Sequence, residues 1–457
     1  MPRSTAGPLV LHREEFGPFA GWRVRVPGHR GIPTPAVSGG RLFVGGGFGS
    51  YDFYAFDRES GELEWHRRTK DDGPTAAVVT NGFVVFNTES CTLEVVRAAD
   101  GEVLGERWLG DPLLAQPAVA GGRVFMVYPR NGRHWVGAFH LPQLEPLWET
   151  EIGHDAITAP VCAHDRVWVS TFDGSVWCMD AATGHVEWTR RMQATSAPWI
   201  HNGEVFVAQR DDHGPEAHRS PRRSPHTGRP RERTGWYGGR EGELKMAFAP
   251  SPAPYLSKDW GKARKSAFQA DDAAVGFAHA PPSAKLDMAS ELIGERSVSR
   301  TWRYQGSRPV VVDGVLYDTT GDKLEARDLQ ANEEVWSWSS RDSVEGERGL
   351  TPPAVANGRV WAGSWNGSVL SWDAKCGRVR WAVPVRAPCH WQPVVSDGWV
   401  FAGLEDGTLV GFCTEDELDD GWPMWGGGPG HNGDPELTAA PLQRREEQRV
   451  QRAVSRG

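Results

Sequence analysis

DGSVWCMDAATGHVEW, Asp173 to Trp188, contains a tight Asp-Gly turn, a short alternating strand, an Asp-Ala-Ala-Thr-Gly turn and a second strand ending in Trp. Two hairpin signals this close together read as a β-meander. The same order recurs along the chain. Aligning on a small-Pro-x-Val strand gives TPAV at Thr34, TAAV at Thr75, QPAV at Gln116, APVC at Ala159, APWI at Ala197, RPVV at Arg308, PPAV at Pro352 and QPVV at Gln392. The steps are 41, 41, 43, 38, 111, 44 and 40 residues. A single step breaks the period, and an insertion of roughly 70 residues accounts for it.

Each unit continues with an apolar strand such as RLFVGG, RVWVST or RVWAGS, then a turn and a third strand. A fourth strand ends at a Trp: Trp65, Trp188, Trp336 or Trp381. Four short antiparallel strands per unit describe one propeller blade. The expected fold is therefore all-β, an eight-bladed β-propeller of four-stranded blades. The eighth unit lacks its Trp-ended strand, and GWRVRVP, Gly21 to Pro27, is expected to supply it, closing the ring and removing its open sheet edges. The Trp residues are expected to pack between neighbouring blades with their N–H on a carbonyl, and the Gly of each Thr-Gly turn to take a positive φ.

Composition agrees: 54 Gly, 33 Pro and 22 Trp in 457 residues combine dense turn punctuation with many large anchors. The net charge of −9 gives no general attraction to nucleic acid or anionic lipid. No apolar run approaches the roughly 20 residues that span a bilayer. The opening MPRSTAGPLVLHREEF has no signal-like apolar core, so a cytoplasmic, monomeric protein is expected. Six scattered cysteines, without a CxxC or Cys-Cys pair, read as reduced thiols.

The units, most clearly WCMDAATGHVEW from Trp177 and TPPAVANGRVWAGSWNGSVLSWD from Thr351, resemble the pyrroloquinoline-quinone-like (PQQ-like) β-propeller repeat family. The resemblance implies either a quinone-dependent dehydrogenase or a scaffold like the propeller lipoprotein of outer-membrane assembly. PQQ with calcium is the cofactor the first would carry, but the adjacent cysteines, the CxxCH haem segment and a motif-matched catalytic Asp of those enzymes are missing here. The signal and lipid-attachment Cys of the lipoprotein are missing as well.

In such blades, the loops leading into the inner strands converge at the mouth of the axial channel, the natural concave site. They bring Asp72, Thr75, Gln116, Asp155, Thr158, Ser196, Arg308, Thr351, His390, Trp391 and Gln392 to one rim. Arg308 is the one long cation directly before an inner-strand Pro, suited to a carboxylate or phosphate. His390, between Cys389 and Trp391, is suited to titration, stacking or metal ligation, and Glu89, Cys91 and His390 form a candidate metal set. The plainer reading of these groups is strand-end capping by hydroxyls and amides.

The propeller is expected over residues 21–424, with an insertion over 211–304 in the fifth unit and a polar tail over 435–457. The insertion carries a basic, Pro-rich stretch from His218 to Arg233 and one short helix from Ser283 to Glu295, and it leaves on the same face as the leading loops. That makes it a candidate lid, with Trp236, Tyr237 and Trp260 as contacts. The basic stretch lacks interleaved aromatics, which disfavours nucleic acid. The expected function is a non-catalytic scaffold or binding protein that recognises a protein or a small anionic ligand. A quinone- or metal-dependent oxidoreductase using the channel is the alternative.

Overall fold

Each small-Pro-x-Val segment forms an inner strand of three residues: Ala36–Ser38, Val78–Thr80, Ala118–Ala120, Val161–Ala163, Trp199–His201, Val310–Val312, Ala354–Ala356 and Val394–Ser396. The computed structural model describes residues 9–433 except 28–30, 48, 89–91, 111–115, 155, 157, 172, 193, 195, 209–234, 239–307, 321–322 and 340–348. In the fourth unit, Val161–Ala163, Arg166–Ser170, Ser175–Asp180 and Val186–Arg191 pair antiparallel in that order. Asp173 to Trp188 thus forms the outer hairpin of this sheet.

Burial follows from stacking sheets face to face around an axis. In Arg166–Ser170, every residue after the first is buried, because neighbouring sheets cover both faces. The outer strand Val186–Arg191 alternates between half-buried and exposed positions, as a strand on the circumference should. The inner strands succeed one another around the axis, and the last, Val394–Ser396, lies beside the first, Ala36–Ser38. Phe19–Arg25 joins the last sheet by pairing with Thr408–Cys413, Gly21 opposite Phe412 and Arg25 opposite Thr408. Val10–Phe16 then adds a fifth, outermost strand to that sheet.

The expectation of eight four-stranded blades is corrected. The structure forms seven blades with a full set of four strands, the last carrying the extra outer strand. The fifth unit does not complete a blade: Trp199–His201, Glu204–Val207 and Gly235–Gly238 form a three-stranded sheet between blades four and five. The reason is the insertion, which parts the second strand of this unit from its third and leaves the segment that would supply a fourth outside the described residues. The expected helix at Ser283 to Glu295, the basic stretch and the tail also lie outside them, as does Trp260. The one helical element among the described residues is a 3-10 turn, Trp425–Gly427. Units six, seven and eight are thus blades five, six and seven.

Neighbouring blades are clasped by the tryptophans. Trp22, Trp65, Trp148 and Trp336 each donate the indole N–H to a carbonyl of the following blade, at Arg58 (3.0 Å), Ala98 (3.1 Å), Ala181 (3.1 Å) and Ala374 (2.9 Å). The indole face lies on the turn glycine of that blade. At Gly184, with φ of 73°, a Cβ would stand 2.4 Å from the ring of Trp148. Gly184→Ala therefore combines positive-φ strain with displacement of a clasping indole. It is expected to lower stability by about 2 kcal/mol, read as a reduced urea midpoint at unchanged m-value.

Candidate functional site at the channel mouth

The upper face is the side from which the chain runs into the inner strands. The hydroxyls expected at its rim have a repeated local task. Ser196 accepts the amide of Ala208 (2.9 Å), Thr351 accepts that of Gly363 (2.8 Å), and Thr75 donates to the side-chain oxygen of Asn87 (2.8 Å). In each case the partner lies twelve residues on, at the end of the second strand. These residues cap strand ends. Asp72 and Thr158 are buried and Gln116 is half-buried, and neither Thr158 Oγ1 nor Gln116 Oε1 has a hydrogen-bond partner. Asp155, Glu89 and Cys91 lie outside the described residues.

His390 is buried, with Nε2 at 3.1 Å from Glu405 Oε2 and its ring edge-on to Trp365. Cys389, beneath it, is fully buried against the carbonyls of Trp391 and Gly403, and burial pushes its thiol up to about 12. Such a thiol is a packing group rather than a nucleophile. Trp391 is buried as well.

The channel mouth itself is filled by the segment that follows the last blade, Gly421 to Gly433. Trp422 exchanges backbone hydrogen bonds with Val395, both of 2.9 Å. Pro423 O accepts the amide of Val37 (2.7 Å), Pro429 O that of Val119 (2.8 Å) and Gly430 O that of Cys162 (2.8 Å). Asn432 completes the circuit with its side-chain amide, accepting from Ile200 N and donating to Ile200 O. Each partner is the middle residue of an inner strand, whose amide faces the axis and would otherwise have only water. Trp422, Met424, Trp425 and His431 are buried to 3% exposure or less.

Gln392 and Arg308 are the two predicted rim residues that meet this segment. Gln392 accepts the amide of Gly426 (2.8 Å) and donates to Pro353 O (2.7 Å). Arg308 is wholly buried between the rings of Trp199 and Trp425, 5.1 and 4.7 Å from their centroids. Its Nη2 donates to the carbonyls of Pro198 and His431. His431 places Nδ1 at 2.9 Å from Trp425 O and Nε2 at 2.8 Å from Pro117 O. Burial draws its pKa down to about 4 against those two acceptors, and Arg308 adds to the depression. The structure thus places Arg308 beneath a cover of the chain's own residues, not on an open rim. Sequence reasoning passed over that cover, although GWPMWGGGPGHNG carries a signal: two Trp, a Met and six Gly where the repeat has ended.

A calcium-bound PQQ does not fit this arrangement. The axial mouth is packed with Trp422, Trp425 and His431, and among the described residues no three His, Cys, Asp or Glu side chains group to hold a metal ion. No reaction step is derived through that cofactor.

The sequence profile of the family described as outer membrane protein assembly factor BamB matches residues 20–209 and 320–422. Outer membrane protein assembly factor BamB of Yersinia pestis is 23% identical over 192 residues, 38% of this chain and 48% of that protein. The dehydrogenase subunit of the quinone alcohol dehydrogenase of Gluconobacter oxydans (strain 621H) is 34% identical over 92 residues, 18% of this chain and 12% of that one. The chain therefore spans half or less of the length of these curated relatives. Among solved structures, BamB from Moraxella catarrhalis superposes with a TM-score of 0.56 at 11% identity, covering 88% of this chain and 100% of that chain. The quinohemoprotein alcohol dehydrogenase of Comamonas testosteroni gives 0.51 at 12%, covering 90% and 76%. At such identities the structural likeness is one of fold.

The expectation of a cytoplasmic protein is corrected by these matches, since the family description and the BamB relatives are named for the outer membrane. That expectation rested on the opening residues, MPRSTAGPLVLHREEF, alone, and not on the repeat that carries the family match. No helix among the described residues is long and apolar enough to cross a membrane. The chain belongs to the PQQ-like β-propeller repeat family described as outer membrane protein assembly factor BamB.

Proposed function

We propose that the chain is a non-catalytic propeller scaffold on the outer-membrane assembly route, binding a protein partner on the rim of its upper face. The observation that carries this reading is the filled channel mouth. The axial mouth on this face, a concave site that propellers offer to a substrate, is taken by residues 421–433, and this favours the outer rim for recognition.

The rim between blades one and two has the chemistry of a docking patch. Trp108, at the upper end of the outer strand Val103–Trp108, is 64% exposed, a large apolar surface to leave in water. Tyr51, at the upper end of the neighbouring blade, is exposed too, with Arg68 over its ring at 5.3 Å. Lys70 pairs with Glu106 (2.7 Å) alongside. Aromatic and Arg anchors with a charged rim are what concentrate binding energy at protein interfaces.

The test is site-specific photocrosslinking in the native host from positions 51 and 108, with Leu147, exposed at the lower end of another blade, as the control. Crosslinks from 51 and 108 to an outer-membrane assembly component, and none from 147, are expected. Trp108→Asp should weaken that capture at least about tenfold while leaving the melting temperature within about 1 °C, because the side chain is exposed. No crosslink from either position, or dye-linked dehydrogenase turnover when PQQ and calcium are supplied, rejects the reading.

A further inference from the structure

The geometry points to a buried binding site for one small inorganic anion of the halide class at Arg308, enclosed between the inner strands and the segment 421–433. The side chain is 0% exposed. Nη2 is committed to two backbone carbonyls, while Nε and Nη1 are buried with no hydrogen-bond partner among the described residues. No ion pair is made by this guanidinium among the described residues. A buried cation lacking a countercharge and acceptors for part of its N–H groups is costly in a protein interior, and a bound anion relieves both penalties at once. Burial draws the Arg308 pKa down to about 9, so the group is still cationic at neutral pH and cannot relieve the cost by losing its proton.

The surroundings set the size of the occupant. The guanidinium carbon lies 5.1 and 4.7 Å from the centroids of the Trp199 and Trp425 rings, so these indoles limit the space left for a ligand. Gly426 lies so close that a Cβ there would stand 2.5 Å from Nη1. The same segment contributes two more donors without acceptors, the buried indole N–H groups of Trp422 and Trp425. A fully buried guanidinium with unpartnered N–H groups suits a compact acceptor rather than a sugar phosphate or a dicarboxylate.

This inference is independent of the scaffold reading, since crosslinking reports on the outer rim and the anion on the axis. The full chain would be melted in sodium chloride, sodium bromide and sodium gluconate at matched ionic strength. Chloride and bromide should raise the melting temperature by about 3 °C or more along a one-site saturation curve, and gluconate should not. Arg308→Met should abolish the halide dependence and Arg308→Lys should retain part of it. Should the Met variant fail to fold, crystals of the unaltered protein grown in bromide decide the matter. An anomalous peak within hydrogen-bond reach of Arg308 Nε or Nη1 supports the site. Water density without anomalous signal there, or equal melting in all three salts, overturns it.

Discussion

A chain ended after Gly421 is expected to lose its cooperative melting transition, or to melt at least about 15 °C lower than a chain ended after Gly433. The segment between those points holds Trp422, Met424, Trp425 and His431 at 3% exposure or less. Removing a buried indole alone costs about 3–5 kcal/mol, and two of them approach the whole stability of an ordinary domain, about 5–15 kcal/mol. The lost hydrogen bonds weigh less. The amides of Val37, Val119, Cys162, Ile200 and Val395 lose their acceptors, but an opened channel admits water to them. The apolar loss decides the outcome, so Trp425→Ala should by itself cost about 4 kcal/mol. Circular dichroism melts of the two truncations make the test. If they melt within about 3 °C of each other, the segment is an appendage and the account of the filled mouth fails.

How far the sequence could be read follows from which residues repeat. The inner strands and the Trp–Gly clasps recur at a nearly constant step, and each occurrence supports the others. Trp148 on Gly184 and Trp22 on Gly61 are the same contact made at different points of the ring. The strand supplied by the N-terminus was legible for that reason, as a Trp-ended strand missing from the last unit. The fifth unit was misjudged because its inner strand, Trp199–His201, follows the pattern while its later strands are displaced by the insertion, and a count of inner strands cannot register a blade left at three. Within the site, the rim hydroxyls were legible as caps because Ser196 and Thr351 occupy one register. Arg308 is buried although its position before an inner strand points to the rim, since its cover comes from the far end of the chain through a contact with His431 that no local pattern announces. Those residues occur once, outside the period, where neither repetition nor alternation helps.

Replacing Asp318 by an apolar residue is expected to raise stability, because its register position holds a buried apolar side chain in the other sheets. The fourth residue of the second strand in the other sheets is Val44, Phe86, Met126, Val169, Val207, Ala362 or Ala402, all buried and apolar. Asp318 takes that place in Val315–Thr320, buried at 4% exposure with Oδ1 unpartnered, and it lies opposite Glu325 across the strand pair. Burial, with the Glu325 charge adding to it, raises the Asp318 pKa well above the ordinary carboxylate value, whereas Glu325 is held low by Lys323 and Arg327 despite its own burial. The folded protein therefore keeps a proton on Asp318 that the unfolded chain releases above about pH 4. A carboxyl whose pKa is raised on folding contributes stability below its unfolded value and loses it as pH rises. Asp318→Val removes that loss along with the unpartnered oxygen, and should raise the unfolding free energy by about 3 kcal/mol at pH 7.5, with a smaller gain at pH 4.5. Urea midpoints of the two proteins at the two pH values check both the sign and the trend. A variant less stable than the parent at pH 7.5 would show that Asp318 is held by a contact worth more than its burial costs, and that blade five departs from its neighbours for a reason other than tolerance.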